Sequence, residues 1–517
     1  MKLPYSAGKF GSFASNYAIE IGRTAVLDKR DIDAEYRRIR NKLRRFNALS
    51  IIDAALTSLH HHMTKNKEHE LRSAPWVALL LVKWAFQDNM VPMRVNPPIS
   101  VEQFDYIRNE LWNLSRPEGQ KVNVYAMLRQ MFAGQMEFQK RPSWSFMRTP
   151  MLISRLPPQH PARKMFVEGL GIEPEPFMDI SMAVYSAVLN GDMHFNIRKY
   201  FGLAPRYTQP INTFFDLLAR DPITLRTELQ NKNLQHNRGS SELYEFPIFR
   251  RFPLLQRTNE TVSVWHQAVF SRGMEDAVHI RLSENGQDYS RAYSIIHEEY
   301  VVDLVQSLDK PYISEAAQSE EFPAGSQVEA IIPSDDGCLL VEAKMTLYND
   351  GSLFSVNEEI LKVATKRIRD GIKQVRRVAV QNQAASWYTG GLTYAIIVAN
   401  SDLHLYTAER LGRIIRSDSL TDAAEGGDVL PLERIFIIST SEMESFVSVM
   451  RQTGKSGPEI LAKAVEDNRE SQTQKGYIGQ HLANYVHRYE TPAILEEASE
   501  MSIKRVFEAI GVQPRLR

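Results

Sequence analysis

The sequence predicts an α+β multidomain fold: a mostly helical N-terminal region, an α/β domain on a central mixed sheet, and a helical C-terminal tail. Three observations predict it. Apolar residues at helical spacing, interrupted by proline-rich breaks, fill most of the first 235 residues. Strand-like stretches at 327–345, 392–400 and 434–440 alternate with long helical patterns, the order of an α/β sheet. Beyond about residue 450 the pattern is helical again.

Composition bounds the function classes. Of 517 residues, 43% are hydrophobic and 24% charged, which provides core for about two to four domains. The formal net charge is zero, so no chain-wide field draws a polyanion. The single cysteine, Cys338, excludes intramolecular disulfides and cysteine-based zinc sites. No run approaches about 18 apolar residues, and Met1–Phe13 has no signal-peptide core. A cytoplasmic protein with no membrane partner is expected.

Residues 1–25 read as irregular, and a helix is expected from Asp28. It carries Arg37, Arg38, Arg40, Lys42, Arg44 and Arg45. Such a run is a nucleic-acid contact or a solvated face, and the solvated face is preferred. His60, His61 and His62 point around a helix rather than at one ion, and are discounted as ligands. Arg155 and His160 stand at the Arg-X4-His spacing of some helical ribonucleases, but Leu156-Pro157-Pro158-Gln159 breaks a helix there. Arg272 and His279 offer a looser match and read as core or surface. Residues 235–241 are a linker candidate, and 236–289 is an aromatic-rich, extended or β connector. Thr453-Gly454-Lys455-Ser456 ends like a phosphate loop, but Val449 stands at the first glycine position.

The helix at 290–308 places Ile295, Val301, Val302, Leu304, Val305 and Leu308 on one face, with Glu298 inside it and Glu299 at its edge. A strand is expected at Pro311–Ala317. Gln327–Ile332 and Cys338–Met345 then form a hairpin about Ser334-Asp335-Asp336-Gly337. Two registers are open. A turn centred on Asp336-Gly337 sets Glu329 opposite Lys344; one centred a residue earlier sets Glu329 opposite Glu342. Both put Glu329, Glu342 and Lys344 on one face. Clustered carboxylates on a covered sheet face are costly unless paired or holding a cation, and two of them suit Mg²⁺. The next helix, 357–381, sets Leu361, Ala364, Ile368, Ile372 and Val375 on one side. Lys362, Lys366, Arg369, Lys373, Arg376 and Arg377 lie on the other, with Gln374 at the border. That stripe suits a phosphate backbone, or is a solvated face.

The acid on one strand and Glu342-Ala343-Lys344 on the next resemble the signature of the PD-(D/E)XK nuclease superfamily, with Glu329 where that pattern usually has Asp. The resemblance covers about a third of the chain. It implies a restriction-endonuclease-like α/β domain at 290–450, between a helical region at 1–235, the connector at 236–289 and a tail at 451–517. It implies phosphodiester hydrolysis with Mg²⁺, for which Mn²⁺ can substitute. Glu329, Glu342 and the Ala343 carbonyl would be ligands, Lys344 would act on water or phosphate, and Glu298 would be a further acid. Nucleic acid is the implied partner, DNA favoured over RNA, with Lys362, Lys366, Arg369, Lys373, Gln374 and Arg377 along it. A homo-oligomer or partner subunit stays open, as does a role in microbial defence. The alternatives are a noncatalytic nucleic-acid-binding or sensor protein that keeps the fold, and a metal-independent helical ribonuclease.

Overall fold

The structure is a computed structural model that describes residues 29–63, 73–87, 95–114, 124–139, 144–197, 204–231, 247–284, 286–347, 350–353, 355–388, 390–470 and 472–511. The expectations for 1–25 and the linker at 235–241 lie outside these residues. The class is α+β, and the chain divides into two compact units. Among the described residues, one contains 124–130 and 286–494; the other contains 29–114, 131–284 and 495–511.

The second of these is mainly helical. Helix α1 (Lys29–Leu43) buries Tyr36, Ile39 and Leu43, one face at three- and four-residue spacing. They pack in a core with Phe104, Ile107 and Leu111 of α2 (Val101–Leu114) and with the almost wholly buried helix Pro75–Gln87. A small mixed sheet joins β1 (His194–Asn196), β2 (Ala219–Arg220), β3 (Leu254–Gln256) and β4 (Thr261–Val264) in the order β1-β4-β3-β2. Strand structure in the 236–289 stretch therefore stops at Val264. His266 then caps a helix, Gln267–Ser283, its ring accepting the Ala268 N–H at 3.1 Å.

The α/β unit carries a six-stranded mixed sheet. Its strands are β5 (Ile313–Ser314), β6 (Ala330–Ser334), β7 (Gly337–Lys344), β8 (Leu392–Ala399), β9 (Tyr406–Thr407) and β10 (Ile435–Ser439), ordered β5-β6-β7-β8-β10-β9. β7, β8 and β10 are parallel, and the other pairings are antiparallel. Helix α3 (Gln287–Gln306) precedes the sheet. Helices α4 (Glu358–Ala364) and α5 (Lys366–Asn382) lie between β7 and β8, while α6 (Thr440–Thr453) and α7 (Gly457–Arg469) follow β10. Ile368, Ile372, Val375 and Ala379 of α5 share one core with Leu340, Ala395, Ile397, Ile435 and Ile437 of the sheet. Helix α7, within the expected tail, packs on β7 and β8. The last helix, α8 (Ala493–Ala509), belongs from residue 495 to the helical unit. There Asp179 accepts hydrogen bonds from Tyr207 Oη and Ser502 Oγ, both at 2.7 Å, and from the Arg505 guanidinium.

Several local expectations are corrected. The strand expected over Pro311–Ala317 is two residues long, because Ser314 caps a helix over Glu315–Glu321. The first hairpin strand begins at Ala330 rather than Gln327. The side chain of Gln318 takes the place of a ladder partner, accepting the Val328 N–H at 3.0 Å and donating to its carbonyl at 2.8 Å. The hairpin adopts the second register: Ser334 pairs with Gly337 across Asp335-Asp336. Gly337 has φ +136°, and a Cβ there would lie 2.0 Å from the Leu392 carbonyl oxygen. The helix expected over 357–381 is broken at Thr365, whose hydroxyl donates to the Leu361 carbonyl at 2.7 Å. Ile295 is 57% exposed, outside the buried face of α3.

Candidate active site

The hairpin register decides where the acids meet. One step beyond the Ala330–Val341 pair, Glu329 comes opposite Glu342. Parallel pairing sets Glu342 beside Ile397 and Lys344 beside Ala399. Glu342 thus interrupts an apolar row on the face covered by α5, and its side chain is fully buried.

Every oxygen of Glu342 is engaged. Lys344 Nζ donates to Oε1, and Gln374 Nε2 donates to Oε2 at 3.2 Å. Gln374, from α5, also accepts from Lys344 Nζ at 3.1 Å and donates to the Gln327 carbonyl at 2.6 Å. Glu329 Oε2 accepts the Ala343 N–H at 2.7 Å. Burial, then the charge of Glu329, pushes the Glu342 carboxyl well above its ordinary range despite Lys344. Burial likewise raises Glu329, against hydrogen bonds from Glu342 and the Ala343 N–H. Glu298 of α3 is half-buried; burial and then the charge of Glu329 raise it, while Lys344 pulls the other way. Glu299 is exposed. Glu298, Glu329, Glu342, Lys344 and Gln374 therefore form one electrostatic cluster drawn from α3, the hairpin and α5.

Two facing carboxylates with one lysine leave negative charge uncompensated when both ionise, and that suits a hard divalent cation. Among the described residues no group of three or more His, Cys, Asp and Glu side chains is close enough to hold an ion. With two side-chain carboxylates, Mg²⁺ would keep waters and take phosphate oxygens, its usual habit. The residues fit such an ion, provided it displaces Lys344 or Gln374 from Glu342.

The basic stripe is only partly as expected. Lys366, Lys373 and Arg377 are exposed along α5, with Arg377 3.5 Å from Glu425. Lys362 is held by Glu358 and Glu359, each at 3.0 Å. Arg369 donates to the Lys362 carbonyl at 2.9 Å. Arg376 leaves the stripe: it is 2% exposed and donates to the carbonyls of Leu430 and Thr421 and to Asp422. Arg367, outside the expected stripe, is exposed on the side of α5 that carries Gln374 and donates to the Met345 carbonyl at 3.0 Å. Its place three residues before Asp370 and seven before Gln374 was the available signal.

Sequence reading also missed Arg129. Almost fully buried, it donates to the carbonyls of Leu403 at 2.9 Å and of Ser355 and Ser352 at 3.2 Å, joining the segments after β7 and β8. No local pattern marks it.

The discounted motifs have ordinary roles. His160 caps helix Pro161–Leu170. His279 is buried against Thr149 at 3.0 Å, and Arg272 pairs with Glu275 at 3.0 Å. His60 Nε2 lies 2.7 Å from the Val264 carbonyl. Gly454 ends α6 at φ +71°, and Ser456 caps α7. Among the described residues no helix is long and apolar enough to cross a membrane. No protein-family model, curated protein or solved structure matches the chain.

Proposed function

We propose that the chain is a metal-dependent nuclease of the PD-(D/E)XK type, with residues 290–450 as a restriction-endonuclease-like core and DNA favoured over RNA. The observation that carries this reading is the meeting of Glu329, Glu342 and Lys344 on one side of the hairpin, joined by Gln374 and Glu298 from two helices. Glu329, Glu342 and the Ala343 carbonyl would hold the ion. Bound there, Mg²⁺ would lower the pKa of water and offset charge on the phosphate.

The protein's own groups do the rest. Lys344 brings the positive charge nearest the two acids and would meet a non-bridging phosphate oxygen. Gln374 fixes the heads of Glu342 and Lys344 relative to each other. Glu298, raised above the ordinary carboxylate range, is suited to exchanging a proton with water. Lys366, Arg367, Lys373 and Arg377 would follow the backbone of the substrate. A nuclease endangers its own cell unless restrained, which accords with a role in microbial defence under the control of the helical unit.

One observation favours a second reading. Both oxygens of Glu342 are already satisfied by Lys344 and Gln374, as in a noncatalytic nucleic-acid-binding protein. The test is cleavage of DNA and RNA panels with Mg²⁺, Mn²⁺ or EDTA, using wild type, Glu342→Ala and Lys344→Ala. Cleavage by wild type that is lost in EDTA and in both variants is expected. Wild-type rates in either folded variant would sink the nuclease reading, and binding without cleavage under any condition would select the second.

A further inference from the structure

Glu329 lies immediately before β6, on a stretch that β5 does not reach. The two residues of β5 pair with Ile331 and Ala330, and the helix Glu315–Glu321 then begins. Side-chain amides hold residues 326–328 instead. Gln381 Oε1 accepts the Ser326 N–H at 2.9 Å, and its Nε2 donates to the Ser326 carbonyl at 3.2 Å. Gln318 does the same for Val328, at 3.0 and 2.8 Å. Between them, Gln374 Nε2 donates to the Gln327 carbonyl at 2.6 Å. Two of the three amides thus exchange both hydrogen bonds with a single residue, as a residue of a neighbouring antiparallel strand does.

The residue type suits the task. Glutamine ends in a neutral amide, donor and acceptor together, and so can meet both polar groups of a peptide. A lysine or glutamate could meet one of the two and would set another charge near the acids. Gln374 and Gln381 are seven residues apart on α5, about two turns, and so project from one side of it. Room for Gln381 comes from Gly325, where a Cβ would run into its Nε2. Gln318 is 2% exposed, a rare setting for a residue type found mostly at surfaces. From the segment so held, the Glu329 carboxylate crosses to β7 and accepts the Ala343 N–H. A ligand has to be kept within about 0.5 Å of its working position, by partners that are themselves locked.

We propose that Gln318 and Gln381 are positioning residues for Glu329. They stand in for a missing strand and fix the backbone from which its carboxylate reaches Ala343 and, on the reading above, the cation. The role toward the cation rests on Glu329 being a ligand; the tethering of Glu329 does not.

The test compares full-length wild type, Gln318→Met, Gln381→Met and Glu329→Ala in EDTA by amide hydrogen exchange. Methionine nearly keeps the volume and removes both hydrogen bonds. The Ala343 N–H reports on Glu329, its acceptor, and the Leu340 N–H reports on the paired part of β7. Exchange at Ala343 should quicken about tenfold in each glutamine variant, toward the rate in Glu329→Ala, with Leu340 unchanged. Isothermal titration should then find Mn²⁺ bound roughly ten- to 100-fold more weakly by both. A glutamine that served packing alone would lower the melting temperature and leave the affinity as it was. Gln381 is only partly buried, so its variant keeps the test open if Gln318→Met does not fold. Unchanged Ala343 exchange in Gln381→Met, or wild-type Mn²⁺ affinity in the folded variants, would overturn the proposal. A wild type that binds no Mn²⁺, with Ala343 exchange still quickened in the variants, would refute the cation reading and leave the tether standing.

Discussion

The stem of Lys344 crosses helix α5 at Gly371, where an added Cβ would stand 3.3 Å from Lys344 Cε and 3.4 Å from Cγ. A mid-helix glycine costs about 1 kcal/mol relative to alanine, so its presence here calls for a local reason, and the passage of the lysine supplies one. Gly371→Ala should keep or raise the melting temperature, yet lower kcat about tenfold with little change in KM, because the ammonium moves while the substrate-binding surface does not. Wild-type kcat in a stable variant would show that the stem has room to spare.

Glu298 and Glu299 are neighbours with different surroundings. The first senses Glu329 and Lys344, and the second is exposed. Glu298→Gln should lower cleavage about 100-fold, and Glu299→Gln less than about twofold. Equal effects would detach α3 from the chemistry.

The raised carboxyl of Glu342 has a stability consequence whose sign is definite. A carboxyl raised on folding contributes stability that is complete below its unfolded value, near 4.5, and lost as pH rises toward the folded value. Urea unfolding of wild type in EDTA should therefore weaken from pH 5 to pH 8, and Glu342→Gln should flatten that loss by on the order of 1 kcal/mol. Added Mg²⁺ should restore wild type at pH 8 and leave the variant unchanged. A variant less stable than wild type at pH 8 would contradict the burial argument.

His279 gives the opposite sign. Burial holds its pKa down to about 4, against the pull of Asp276 and Glu275. A depressed histidine contributes stability present above its unfolded pKa near 6.5 and lost as pH falls toward 4. The helical unit should lose about 2 kcal/mol between pH 7.5 and pH 5 through this group, a loss that His279→Gln removes. The readout is denaturant unfolding at the two pH values; parallel losses in both proteins would assign the acid sensitivity elsewhere.

Where local chemistry decides the outcome, the sequence was a good guide. Alternating residues on β7 placed Glu342 and Lys344 together whatever the register, and the apolar runs of β8 and β10 became buried parallel strands. What failed depended on partners far along the chain. Nothing within 357–381 announces a break at Thr365. Arg376 looks like any cation of the stripe until carbonyls some 50 residues away, those of Leu430 and Thr421, accept its protons. Arg129 meets residues more than 220 positions onward. The first hairpin strand was overextended because a side chain, Gln318, occupies backbone positions that composition assigns to a ladder.

Asp179 holds Ser502 and Arg505, although the α/β unit lies between them in the chain. During synthesis, then, the helical unit waits for its final helix until that other unit has left the ribosome, roughly 10 to 40 s at ordinary elongation rates. For that interval Asp179, 2% exposed in the finished protein, lacks the guanidinium that will neutralise it. The nascent helical unit thus stays incomplete over that interval, while residues 286–494 of the unit carrying the acid cluster are made before its last helix. Cutting the chain near Ser240 would make the delay permanent in one fragment, and would also strip Arg129 from the segments it joins in the other.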